Sequence, residues 1–290
     1  MAIISKELEM VYHLFFYIEM RFVMIKLIAS DLDDTLLDKD AQLSAENKGA
    51  IAAALKRGVI FTIATGRMFQ SAAPFGRELG LDVEQPIICY NGALIRRLSG
   101  ETLYEQPLST EVSSLIVDYG QRRGWTINAY FDDELYVSAL NQDVEDYGAR
   151  VRVGVTAVGD LVKFIQDGNK QLSKLMVISK PDQTLGRIAE LRPLVGENVQ
   201  LVRSRPKFIE ITNANAHKGK ALLWLANYLG MDVGEVMAIG DSNNDLTMIK
   251  AAGIGVAVAN APQEVRDVAD RIVATHYEHG VAQAITRFTL

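Results

Sequence analysis

Val59-Ile60-Phe61-Thr62-Ile63-Ala64 is a near-continuous apolar run that ends abruptly at Thr65-Gly66-Arg67. A half-exposed strand would alternate polar and apolar residues. A run without alternation marks a strand covered on both faces, the condition of a parallel sheet layered between helices. Residues 25–30 and 86–90 form two further runs of this kind. Parallel neighbours need long crossovers, and the chain supplies them. Ser44 can cap a helix over 45–57, where Ile51, Ala54 and Leu55 form the apolar stripe and Gly58 the stop. A second helix fits 68–79. The resulting βαβαβ unit over 24–91 predicts a doubly wound, mostly parallel α/β sheet.

The same alternation returns near the C-terminus. Helices are expected at 218–229, 245–252, 262–269 and 281–287, with strands at 236–239, 254–258 and 271–274. The middle differs. A hairpin fits 93–97 and 102–106 around Ser99-Gly100, followed by a helix at 111–123 and strands within 125–137. A strand at 172–178, a helix at 182–195 and a strand at 199–203 complete it. This mixture predicts an inserted α+β cap domain over 93–205, between core segments 24–92 and 206–290. Residues 1–23 carry Leu14-Phe15-Phe16-Tyr17-Ile18 among acidic and basic residues, a patch too short and too charged to span a membrane. The stretch also lacks the basic lead and cleavage site of a signal peptide. It reads as an N-terminal extension, with a surface amphipathic helix as the alternative.

Chemistry concentrates where the strands end. Asp31-Leu32-Asp33-Asp34-Thr35 follows the first strand, with three acids in four residues. Carboxylates about 4 Å apart repel by roughly 4 kcal/mol per pair at an effective dielectric near 20. They must splay into water or share a cation. A second cluster, Asp241-Ser242-Asn243-Asn244-Asp245, follows the strand at 236–239. In open α/β sheets ligands bind beyond the carboxyl ends of the strands, where Asp31, Asp33, Thr65, Asn91 and Asp241 all fall. Hard oxygen donors without nearby His or Cys favour Mg²⁺. Lys218 opens a helix against the helix dipole and could balance the acids. Gly66 and Gly240 would let the backbone come close to an anion. His276 and His279 lack ligand partners and read as surface residues. Arg203 and Arg205 read as solvated.

Four motifs then stand in order: Asp31-Leu32-Asp33-Asp34-Thr35, Ala64-Thr65-Gly66-Arg67, Lys218-Gly219, and Gly240-Asp241-Ser242-Asn243-Asn244-Asp245. Together they resemble the haloacid dehalogenase (HAD) superfamily of phosphotransferases. Asn91-Gly92-Ala93 and Val258-Ala259-Asn260-Ala261 look like its Cof-type sugar-phosphatase branch, over roughly 24–290. The resemblance implies a Rossmann-like core with a C2-type cap and an aspartyl-phosphate mechanism. Asp31 would be the nucleophile and Asp33 the general acid and base. Asp31, Asp241 and the Asp33 carbonyl would hold Mg²⁺. Thr65, Gly66, Asn244 and Lys218 would bind the phosphoryl group, supported by Asp245 and Asn91. Asp34 stands where many members have Gly, and His279 where the branch often has an acid.

Between Asp31 and Thr65 there is room for only one helix and one strand, so the lid must be the middle insertion. A lid of that size admits small phosphorylated metabolites. A net charge of −6 without a basic block argues against nucleic acid. Cys89, the only cysteine, excludes an internal disulfide and a thiolate zinc site, and fits a reducing cytoplasm. The sequence leaves oligomeric state unknown. Two other activities stay open: a phosphomutase of the phosphomannomutase type, and a non-catalytic phosphometabolite-binding protein.

Overall fold

A computed structural model describes residues 24–290. The expected extension over 1–23 lies outside the described residues. β1 (Leu27–Ser30) is buried along its whole length. α1 (Ala45–Lys56) starts as expected, with Ser44 Oγ accepting the Asn47 N–H at 3.1 Å. β2 (Ile60–Ile63) is buried beyond its first residue. α2 (Phe69–Glu78) has Met68 at its N-cap, which offers no side-chain acceptor. β3 (Pro86–Cys89) meets the second strand through one parallel bridge, Ala64 to Ile88. Along its length it pairs antiparallel with β4 (Leu94–Arg97), which pairs with β5 (Thr102–Glu105). The expected hairpin is therefore present, and it extends the third core strand.

The insertion continues with α3 (Thr110–Gln121), β6 (Thr126–Phe131), β7 (Glu134–Val137), α4 (Gln142–Val151), β8 (Val155–Ala157), α5 (Leu161–Gln166), β9 (Lys174–Ile178), α6 (Thr184–Val195), β10 (Val199–Arg205) and β11 (Phe208–Asn213). Its six-stranded sheet runs β10-β11-β9-β6-β7-β8, antiparallel except for β7 with β8. Three elements between 142 and 166 have no counterpart among the elements expected from sequence. β8 buries nothing and writes no apolar period, whereas α4 does place Val144, Tyr147 and Val151 at helical spacing, a signal that the expected elements did not include. β11 is a further strand not among those expected, although Phe208-Ile209-Glu210-Ile211-Thr212 alternates as a strand should. It lies between β10 and β9. On this pairing we propose that the inserted unit spans about 107 to 214 rather than 93–205.

Alternation gives the insertion's sheet two faces. Ile127, Ala129, Leu175, Val177, Ile209 and Ile211 pack under the insertion's helices with Ile116, Val117 and Leu191. Tyr130, Met176, Ile178 and Phe208 point the other way and join the apolar cluster of the core domain. One face of the sheet is thus apposed to the core.

The chain then completes the core with α7 (Lys218–Tyr228), β12 (Val236–Gly240), α8 (Leu246–Ala251), β13 (Ile254–Val258), α9 (Gln263–Arg266), β14 (Arg271–Val273) and α10 (Gly280–Phe288). α9 is four residues long, shorter than the helix expected over 262–269; only Val265 is buried there, so no apolar stripe carries it further. The core sheet runs β14-β13-β12-β1-β2, every pair parallel.

The missing cap of α2 comes from the insertion. Asp133, in the turn between β6 and β7, accepts the Phe69 N–H at 2.8 Å and the Gln70 N–H at 2.7 Å. Tyr90 Oη donates to the same carboxylate at 2.9 Å. This side chain ties the insertion to the core at a helix end that would otherwise hold orphan donors. Asp133→Ala should lower the unfolding free energy by roughly 2 kcal/mol. A urea midpoint equal to that of the unsubstituted protein would contradict this.

Candidate active site

The core strand order reverses direction between β1 and β12: β2 follows β1 on one side, and β13 and β14 follow β12 on the other. This is the topological switch point, where a crevice opens beyond the strand ends. Ser30 pairs with Ile239, and the Asp31 N–H donates to the Ile239 carbonyl at 2.9 Å. Asp31 and Asp241 therefore leave adjacent strands at the same level, although 210 positions separate them.

Lys218 fills the space between them. Its side chain is fully buried, and Nζ donates to Asp31 Oδ1 at 2.5 Å and to Asp245 Oδ1 at 2.6 Å. Asp245 Oδ2 accepts the backbone N–H groups of Asp241 at 3.0 Å and Ser242 at 2.9 Å. Both oxygens of Asp245 are thus committed to shaping the loop and fixing Lys218. Thr35 Oγ1 donates to Asp241 Oδ1 at 2.8 Å. The second oxygens of Asp31 and Asp241 take no hydrogen bond from the described residues.

Asp31, Asp241 and Asp245 bring carboxylate oxygens within 4.8 Å of one another. At that range each pair of ionised groups repels by roughly 3–4 kcal/mol at an effective dielectric near 20. One lysine against three acids leaves two negative charges in excess. Burial, followed by Asp245, pushes the Asp241 carboxyl up to about 7. Burial also raises Asp31 well above the usual carboxylate range, against the pull of Lys218. Burial works against the Lys218 ammonium, but Asp245 and Asp31 outweigh it and hold its pKa above the ordinary value. The donor set is all oxygen, two carboxylates have lone pairs to spare, and the charge is two short of neutral. These residues fit a hard divalent cation.

The other expected residues gather around this cluster. Thr65 is buried, and its Oγ1 accepts the Arg67 N–H at 3.2 Å, leaving its own O–H to donate. Tyr90 and Asn91 adopt φ of 51° and 57°, a left-handed pair that is uncommon outside glycine. That kink turns Asn91 toward the site, where Asn244 Nδ2 donates to its Oδ1 at 2.9 Å. The two glycines also make room for neighbouring side chains. A Cβ on Gly240 would lie 2.5 Å from Asp245 Cγ, and one on Gly66 would lie 2.9 Å from Asn91 Oδ1. Gly66 also lines the cleft with its backbone.

Asp33 is the residue that stands apart. Its carboxylate is a bidentate partner of Arg67, with Nε to Oδ2 at 2.8 Å and Nη2 to Oδ1 at 2.5 Å. In sequence Arg67 is one letter of a motif with no role of its own, and only the fold shows its partner. The Asp33 side chain faces the same cleft without joining the Lys218 cluster. That cleft, about 660 Å³, is lined by Asp31, Thr65, Asn91 and Asp241 from the core and by Lys174, Met176, Phe208 and Glu210 from the insertion. Arg203 and Arg205 are exposed, as expected, and stand at its mouth. No helix among the described residues is long and apolar enough to cross a membrane.

Comparison with known proteins agrees with this geometry. A family model of haloacid dehalogenase-like hydrolases matches residues 28–285. YxeH of Bacillus subtilis, named only provisionally as a phosphatase, is 35% identical over 92% of this chain and 99% of its own length. The Bacillus subtilis 5-amino-6-(5-phospho-D-ribitylamino)uracil phosphatase YwtE is 30% identical over 90% of this chain and 97% of its own. A crystal structure of a haloacid dehalogenase-like hydrolase from Bacteroides thetaiotaomicron superposes with a TM-score of 0.83 at 30% identity, covering 91% of this chain and 99% of that one. With its parallel core sheet, its inserted antiparallel sheet and the acids assembled at the switch point, the chain belongs to the haloacid dehalogenase-like hydrolase family.

Proposed function

We propose that the protein is a Mg²⁺-dependent phosphatase that hydrolyses small phosphorylated metabolites, sugar phosphates foremost, through a phosphoryl group carried on Asp31. One observation carries the reading: Lys218 fixes one oxygen of a buried Asp31 beside Asp241, and the other oxygen has no donor among the described residues. Asp31 attacks phosphorus, and the bond to the leaving alcohol breaks as the new P–O bond forms. Asp33 gives its proton to the departing oxygen. Water then attacks the same phosphorus, Asp33 takes its proton, and cleavage of the bond to Asp31 frees phosphate. For either transfer the Asp33 carboxyl has to leave Arg67, which engages both of its oxygens.

Thr65, Asn244 and Lys218 hold the phosphoryl oxygens, Asp245 fixes Lys218, and Asn91 orients Asn244. Gly66 keeps Asn91 close. Asp31, Asp241 and the Asp33 carbonyl are the ligands we assign to Mg²⁺, whose positive charge would let an anionic nucleophile approach an anionic ester. The cleft's size and the small phosphorylated compound named for YwtE support a small-molecule substrate. The intact set of Asp31, Lys218, Asp241 and Asp245 disfavours a purely sensing role. A single buried cysteine, Cys89, supports a reducing cytoplasm.

Phosphate release from a panel of phosphorylated metabolites tests the reading. Activity should vanish in EDTA and return with Mg²⁺, and Asp31→Asn should lower kcat by at least roughly 10³-fold, about 4 kcal/mol of barrier. Full activity in chelator, or near-normal turnover by that variant, would contradict it. The carboxyl shifts add a pH dependence. In the folded protein Asp241 sits at about 7, above its ordinary 3.8. Below about pH 4 the group is protonated in both states, and its contribution is fully present. As pH rises the unfolded chain ionises first, so stability is lost until the folded group ionises. The urea midpoint of EDTA-treated protein should fall from about pH 4 to about pH 7, and Asp241→Asn should flatten that fall. An identical slope in the variant would count against the assigned shift.

A further inference from the structure

We infer that Lys174 and Glu210 form a subsite for the hydroxyl groups of a polyhydroxylated leaving group, and so select sugar and sugar-alcohol phosphates over phosphates of flat aromatic rings. This rests on the phosphatase reading above and narrows its substrate class. The two residues come from neighbouring strands of the insertion. Glu210 pairs in register with Met176, and Lys174 is two residues from Met176 on the same face. That face is the one apposed to the core, and Lys174, Met176, Phe208 and Glu210 all line the cleft.

Lys174 is only 3% exposed, yet it has no close acceptor. Nζ lies 3.4 Å from the Gly66 carbonyl and 3.5 Å from Glu210 Oε2, at the outer edge of hydrogen bonding. The Tyr130 ring, with its centroid 4.7 Å away, gives partial compensation. An ammonium carries three donors, and leaving them underused in a buried place is costly. Burial pushes the Lys174 pKa down, but Glu210 outweighs it, so the group stays charged. Glu210 Oε2 also accepts from Asn91 Nδ2 at 3.3 Å, while its Oε1 has no partner among the described residues. In the same cross-strand row stands Asn128, fully buried, with neither end of its amide hydrogen-bonded. At the cleft itself, Lys174 thus keeps donor capacity and Glu210 an acceptor that the described residues leave unused; Asn128 does not line the cleft.

The chemistry of the pair selects the ligand. A hydroxyl can accept from the ammonium and donate to the carboxylate, so a diol satisfies both. A second anionic group would meet Glu210, and an apolar ring would leave both charges unpaired. The location fits as well. Lys174 touches the carbonyl of Gly66, and Glu210 leads through Asn91 to Asn244. The pair therefore faces the phosphoryl-binding residues from the insertion side, where the remainder of a small ester would lie.

The experiment measures kcat/KM of the full-length protein with Mg²⁺ for sorbitol 6-phosphate, glucose 6-phosphate and 4-nitrophenyl phosphate. Lys174→Met and Glu210→Gln should each lower the ratio of polyol to aryl kcat/KM by about tenfold or more. Glu210→Gln keeps the side chain's shape and serves if Lys174→Met does not fold. An unchanged ratio overturns the inference: equal losses on all esters would mean that the pair only positions Asn91 and Asn244, and no loss would mean that it touches nothing. Wild-type turnover of the aryl ester with none of the polyol esters overturns it as well, while leaving the phosphatase reading intact. A wild-type protein that hydrolyses no phosphate ester at all would instead remove the phosphatase reading beneath it.

Discussion

A buried lysine between two buried aspartates holds the site together. Lys218 is fully buried; one partner, Asp31, follows the end of β1, and the other, Asp245, stands at the N-cap of the helix α8 that follows β12. Removing one partner of such a group typically costs roughly 3–5 kcal/mol, because a charge is left uncompensated in a poor solvent. The arrangement also carries information. It fixes Asp31 at the end of β1, and through Asp245 it folds the loop that presents Asp241. Lys218 offsets part of the charge that the acids bring into the crevice, and the charge left over fits a divalent cation.

Much of this is legible in the chain itself. Parallel strands buried on both faces write unbroken apolar runs. Each of these runs stops at a polar residue, so Asp31, Thr65, Asn91 and Asp241 stand out from the amino-acid order alone. Ser44 announces its helix because the donor it caps is local. The unseen parts depend on distant contacts. α2 has Met68 where a cap should be, and its acceptor, Asp133, arrives from 64 residues away. Lys174 and Glu210 look like the solvated positions of amphipathic strands. They become buried only because a second domain covers that face. β8 buries nothing and leaves no periodic trace, while α4 is short but does carry Val144, Tyr147 and Val151 at helical spacing.

Asp33 illustrates a different limit. The sequence places it two residues from Asp31, within reach of the proton-donor role proposed for it. The structure gives its carboxylate to Arg67, and the loop of Gly66 and Arg67 also touches Lys174 of the insertion. Contacts to Asp33 and to Lys174 of the insertion therefore meet at one short segment after β2. A domain that moves over a crevice and excludes water from it is a common way to protect a reactive intermediate. Here Gly66, which touches Lys174 of the insertion, adjoins Arg67, which holds the Asp33 carboxylate.

The central claim is that Asp31 itself carries the phosphoryl group. Rapid acid quench during turnover of a radiolabelled phosphate ester, followed by peptide mapping, tests it most directly. The account predicts acid-stable, base-labile label on the peptide that contains Asp31. Label on a different residue, or phosphate release with no labelled protein at any quench time, would contradict it.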